Sequence, residues 1–207
     1  MRDIDDFLTL VLPYAGAAPE PLIVRSLRDA ATQFCERTRT WKGDDTIATN
    51  GAEPEPISVP SDAVLFEISS CAIDGDPLDP VTLKWLATER PDWRTREINS
   101  EGARWYVAPQ RGTIQAVPRT AGTLFVEFVC KPSATALTLP DYLLDEYGQT
   151  IADGAAGALL IMPNTTFGNP QLGAALTARF VSKLDSLSNA GSRGQQGGRT
   201  RTRGRYL

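Results

Sequence analysis

The sequence predicts an α+β protein, mainly helical: a helical bundle with an inserted β-rich module and an extended C-terminal tail. Three observations carry this expectation. Apolar residues recur at three- and four-residue steps over 20–41 and again from 139 to 187. Between these stretches, prolines and glycines punctuate short β-rich runs. The chain then closes on GSRGQQGGRTRTRGRYL (191–207), which has no acid and no apolar side chain before Tyr206 and Leu207. The expected borders are 1–43 for the N-terminal helices, 44–138 for the β-rich module, 139–188 for a C-terminal helical hairpin and 189–207 for the tail. An amphipathic helix cannot stand alone, so the flanking helices must meet.

In order along the chain, DIDDFLTLVL (3–12) predicts a short helix with Asp3 as cap and acids in its first turn. Pro13 to Pro21 reads as a break. Ile23, Leu27, Ala30, Ala31, Phe34, Thr38 and Trp41 then form one helical stripe, with Gly43 as its stop. AVLFEISSCAI (63–73) predicts a strand followed by an Asp-Gly turn. Asp79 and Pro80 read as the cap and first residue of a short helix, with Pro91 beyond its end. Residues 104–108, 113–117 and 123–131 predict a three-strand meander with turns at PQRG and RTAG. The last of these strands is apolar on both faces, which places it inside a sheet. After LPD (139–141), Tyr142, Leu143, Tyr147, Ile151, Gly154, Ala155, Ala158 and Met162 share a stripe. Glycine costs roughly 1 kcal/mol per helical position, so Gly154 and Gly157 imply close approach of another helix. PNTTFGNP (163–170) is a loop, and Leu172, Ala175, Leu176, Phe180 and Leu184 mark the final helix.

Composition narrows the function classes. The chain has 207 residues, 42% hydrophobic, with a formal net charge of −4. Five of its 21 basic residues and none of its 25 acids fall in 191–207, so the remainder is more acidic than the whole. Such a split marks an interaction tail. Three cysteines without CxxC speak against a disulfide framework. Aspartates occupy the start where a signal peptide needs positive charge, and Ile151–Met162 is too short and polar to span a bilayer. These features point to a soluble intracellular product with no membrane partner.

Histidine is absent, which removes Ser-His-Asp, Cys-His and HExxH chemistry. Neither common nucleotide-binding loop occurs. Asp74-Gly75-Asp76 resembles the opening of a calcium loop, but Leu78 and Trp85 stand where ligands belong, and a hairpin turn explains it better. Asp141, Asp145, Glu146 and Asp153 lie on one helix; adjacent helical residues point about 100° apart, so Asp145 and Glu146 make no catalytic pair. They read as solvated acids near a helix start. Trp85, Trp93, Trp105 and Tyr106 lie near Arg90, Arg94, Arg96, Arg104 and Arg111. A single-strand stacking platform would look similar, but Glu89, Asp92, Glu97 and Glu101 are interspersed, which favours core packing or a protein interface. No catalytic, cofactor-binding or metal-binding residue is expected.

The helical stretches carry a resemblance. LPDYLLDEYGQTIADGAAGALLIMPNTTFGNPQLGAALTARFVSKL (139–184) resembles the C-terminal helical hairpin of tailed-phage head–tail adaptors, the head-completion or neck-connector proteins. The features are LP before the helix, Tyr147, IADGA (151–155), Met162, Phe167, Pro170 and Phe180. LVLPYAGAAPEPLIVRSLRDAATQFCERTRTW (10–41) is similar to the family's first helical pair, and IDGDPL (73–78) and PDW (91–93) recur in such proteins. The resemblance implies a non-enzymatic structural virion protein without cofactors. It implies a homo-oligomeric ring, typically dodecameric, beneath the portal protein in the virion neck, assembled in the host cytoplasm. Such a ring extends the channel through which genomic DNA passes without sequence-specific binding. It also offers a platform to the next tail or nozzle component. An acidic body suits that role, because phosphate contacts would add friction.

The tail admits three readings: an inert solubilising segment, a nucleic-acid binder, or a docking peptide. Five arginines neutralising about five phosphates would give a salt slope near −4.5. A purely electrostatic tail, however, has no need of Tyr206-Leu207. Arginines make bidentate contacts with carboxylates, and Tyr and Arg dominate interface energetics. The sequence reading therefore favours portal docking by Arg193, Arg199, Arg201, Arg203, Arg205, Tyr206 and Leu207, with a nucleic-acid-binding accessory protein as the alternative.

Overall fold

The computed structural model describes residues 1–94 and 102–188. They form β1 (Arg2–Asp3), a 3-10 turn (Ile4–Phe7), α1 (Leu8–Ala15), α2 (Glu20–Thr38), β2 (Lys42–Thr49), β3 (Glu55–Pro56), β4 (Ala63–Ile73), β5 (Asp76–Pro77), β6 (Asp79–Pro80) and α3 (Leu83–Glu89). There follow β7 (Trp105–Val107), β8 (Thr113–Val117), β9 (Gly122–Pro132), β10 (Thr138–Leu139), α4 (Asp141–Leu160) and α5 (Pro170–Leu187). The chain divides into two compact units. Lys42–Cys130 forms one; Met1–Trp41 and the described residues from Lys131 onward form the other.

This architecture corrects the mainly helical bundle expected from sequence. The described strands lie in three sheets, ordered β1-β10, β2-β9-β4-β5 and β3-β8-β7-β6. The fold is α+β and not a helical bundle. Helical stripes advertise themselves as long apolar periods, whereas much of the strand content gives no such signal. β2 reads KGDDTIAT, nearly devoid of apolar side chains, yet it pairs along its whole length with β9, from Lys42↔Val129 to Thr49↔Gly122. The two-residue strands are too short to show a period.

In the helix-rich unit, α4 is the central element. Leu143, Ile151, Ala152, Ala155, Ala156, Leu159 and Leu160 are all buried, which is burial nearly all round over its second half. α2 lays Ile23, Leu27, Ala30, Ala31 and Phe34 against it, and the Phe34 and Tyr147 rings meet at 4.9 Å. Each such large apolar side chain contributes about 1.5–3 kcal/mol on full burial. α2 ends at Arg39, which adopts a left-handed conformation (φ 52°) and donates its N–H to the Cys35 carbonyl. Gly43 is therefore not the helix stop. It lies in β2, where a Cβ would come within 2.7 Å of the Phe128 ring. Pro13 does not break the first helix either, since α1 runs on to Ala15. Pro13 and Thr9 are both exposed, so water can satisfy the carbonyl that proline leaves unpaired. Buried Val11 and Ala15 hold the helix in place.

In the other unit, β4 and β5 form a hairpin through Asp74 (φ 49°) and Gly75 (φ 95°). β9 is central in its sheet, with Leu124, Val126, Phe128 and Cys130 buried and Thr123, Phe125 and Glu127 exposed. The expected meander does not form. β7 and β8 pair, but β9 joins β2 and β4 in another sheet. Instead of a tight turn, the connection is anchored by Arg119, whose guanidinium donates to the carbonyls of Gly51, Arg94 and Ala52. Asp79 is not a helix cap. It pairs in parallel with Trp105, and Thr82, one residue before α3, accepts from the Trp85 N–H at 3.2 Å.

Candidate functional site

The tail residues singled out by sequence (Arg193, Arg199, Arg201, Arg203, Arg205, Tyr206 and Leu207) lie outside the described residues, as do Arg96, Glu97 and Glu101. The other candidates have definite positions. Asp74 accepts from the Thr123 N–H at 2.9 Å and so fixes the β4–β5 turn against β9. Among the described residues, no group of three His, Cys, Asp or Glu side chains could hold a metal. Trp93 is buried in a small core with Leu86, Val107 and Val117. Trp105 packs against Trp85 at 5.3 Å, while Arg90 lies over Trp105 and Arg94 over Trp93. These aromatics do not form an open row of stacking faces.

The carboxylates of α4 are not equivalent. Asp145 and Glu146 are exposed. Asp141 meets the N-terminal ammonium at 2.8 Å, and that hydrogen bond is the main cause holding its carboxyl below the usual range. Asp153 is buried, accepting from Arg179 Nε at 2.6 Å and Gln149 Nε2 at 2.9 Å. Sequence reading missed this, because the partner lies on the next helix. The three cysteines form no disulfide and are buried. Burial pushes the Cys71 and Cys130 thiols up to about 11, which keeps them protonated and unreactive at neutral pH.

The feature best suited to a partner is the outer face of α5. Its inner stripe is Gly173, Leu176, Phe180 and Leu184. Two residues expected in that stripe, Leu172 and Ala175, are exposed instead. Helix α5 approaches α4 closely because both helices are small at the crossing. A Cβ on Gly157 would lie 2.5 Å from Thr177 Oγ1, and one on Gly173 would lie 3.1 Å from the Gly157 carbonyl oxygen. This close crossing leaves Ile161 46% and Val181 48% exposed side by side. They border a groove of about 480 Å³ formed with α2, whose rim carries Arg25 and Asp29. A hint was present in the sequence: Ala174, Ala178 and Val181 form a second apolar stripe at helical spacing.

No single helix among the described residues is long and apolar enough to cross a membrane. The curated proteins contain no match to the chain. The family profile described as SU10 adaptor protein matches residues 2–205. That match spans both compact units and reaches into the arginine-rich end. The chain therefore belongs to the SU10 adaptor family of phage head–tail adaptors, structural proteins that meet portal and tail components in the virion neck.

Proposed function

We propose that the chain assembles as a dodecameric ring on the portal, extends the DNA channel and offers the platform for the next tail component. In this reading the residues from Arg193 to Leu207 dock onto the portal protein. The observation that supports it most is the family match over residues 2–205, which includes most of the arginine-rich end. The exposed apolar face of α5 adds a surface suited to protein contact. A ring that presents many copies of this segment gains through avidity over a single copy.

Truncation after Asn189 tests the docking role. The expected result is loss of portal attachment with an unchanged far-UV circular dichroism spectrum and melting temperature. Unimpaired attachment would remove the docking role. The arginine composition also keeps the nucleic-acid reading open. Tight, strongly salt-dependent DNA binding by the isolated chain, lost on the same truncation, would favour that alternative.

A further inference from the structure

We infer that Asn50 is a modification site: its side-chain amide is lost through a cyclic imide to give aspartate or isoaspartate, and the folded turn after β2 restrains this reaction through the Thr49 hydroxyl.

Asn50-Gly51 is the one Asn-Gly dipeptide in the sequence. The Gly51 amide nitrogen, once it gives up its proton, can attack the Asn50 side-chain carbonyl carbon. A C–N bond forms, the C–NH2 bond breaks, and the side-chain nitrogen leaves as ammonia, carrying the proton that the backbone gave up. Water then opens the five-membered imide at either carbonyl. The sum is amide plus water to acid plus ammonia, with no oxidant or reductant. Glycine in second position favours the attack because no Cβ crowds the nitrogen.

The fold requires that glycine. Gly51 has φ 72°, and a Cβ on it would lie 2.8 Å from the Thr120 carbonyl carbon and 2.9 Å from the Thr120 nitrogen. The susceptible dipeptide is therefore retained for structural reasons, and its reactivity is set by the hydrogen bonds around it. Asn50 is exposed, so water reaches it. Its Oδ1 accepts from the Ala52 N–H at 2.7 Å. That donor would also stabilise the negative charge that forms on Oδ1 during the attack. The carbonyl is thus activated in the native turn, and the restraint must act on the nitrogen. Gly51 is buried, and its N–H donates to Thr49 Oγ1 at 3.0 Å. Thr49 is itself fixed. It is buried at the end of β2 opposite Gly122, and its own proton goes to Glu55 Oε1 at 2.9 Å, leaving its lone pairs for Gly51. Arg119 holds the carbonyls of Gly51 and Ala52. Removing the Gly51 proton therefore has to wait for local opening of the turn. Chains in a released virion are not replaced, so this restraint sets how long the turn stays chemically intact. Isoaspartate would add a backbone carbon where Gly51 lies against Thr120, and so would undo the anchorage by Arg119.

The test incubates the full chain, folded and denatured, at mildly alkaline pH. Conversion of Asn50 is followed by peptide mass spectrometry and by enzymatic labelling of isoaspartate. The variants are Thr49→Val, which removes the acceptor, Thr49→Ser, which keeps it, and Leu124→Ala, which weakens the same unit away from the turn. The expected result is fast conversion in the denatured chain and slow conversion in the folded wild type, Thr49→Ser and Leu124→Ala. Folded Thr49→Val should convert about tenfold faster than wild type, the equilibrium worth of one hydrogen bond. An Asn50 that survives in the denatured chain would overturn the site. Folded wild type converting as fast as denatured chain would overturn the restraint. So would a Thr49→Val rate equal to wild type, or a Leu124→Ala rate equal to that of Thr49→Val.

Discussion

Asp153 and Arg179 share one ion pair but not one environment. The aspartate side chain is 3% exposed and the arginine side chain 58%. Breaking the pair from either side should therefore cost different amounts. Arg179→Met leaves a buried carboxylate with Gln149 as its remaining partner, at an expected cost of about 3 kcal/mol. Asp153→Asn leaves the arginine in water and keeps an oxygen acceptor, at an expected cost of about 1 kcal/mol. Chemical denaturation of both variants measures the difference, and equal costs would contradict this account. The sequence shows Asp153 as one acid in an apolar run. Its role was illegible there because the partner lies on α5, beyond the reach of i,i+4 spacing. The same limit hid Gly43, whose purpose is set by a phenylalanine on another strand.

At the level of elements, the α4–α5 crossing depends on the absence of side chains. A Cβ at Gly157 would meet Thr177 Oγ1 at 2.5 Å and the Thr177 nitrogen at 3.0 Å, and the latter is backbone that cannot step aside. Gly157→Val should cost about 2–3 kcal/mol by overpacking. Ala158→Val, one residue on and exposed, should change stability by less than about 0.5 kcal/mol. Helix propensity alone would favour Gly157→Val and disfavour Ala158→Val, so melting curves that show no larger loss at Gly157 than at Ala158 would contradict the overpacking account. This packing was readable in advance, because glycines inside a long apolar period have few other uses. The long helices were readable for the same reason. β2 was not, since its polar side chains fit a strand only once β9 is beside it, and the exposed stripe of α5 was masked by the stronger buried one.

For the whole molecule, the change from helical periods to proline-punctuated runs was visible in the sequence. The sheet assignments were not, because pairing between distant strands leaves no local mark. The insert Lys42–Cys130 starts and finishes at neighbouring points, since Lys42 pairs with Val129. That pairing has a kinetic meaning. α2 cannot find α4 without closing the whole intervening chain, and loop entropy makes a long open loop costlier than a short one by roughly 1.5–2 kcal/mol. Once β2 and β9 zip together, the insert acts as a short clasp, and the two halves of the helix-rich unit are tethered at close range. Leu124→Ala, which empties a buried site in β9, should therefore slow the appearance of α-helical signal in stopped-flow refolding. An unchanged rate would mean that the helices find one another first. If the slowing is seen, the sheet serves the helices as a timer: its early closure sets when the adaptor's helical contacts can begin to form.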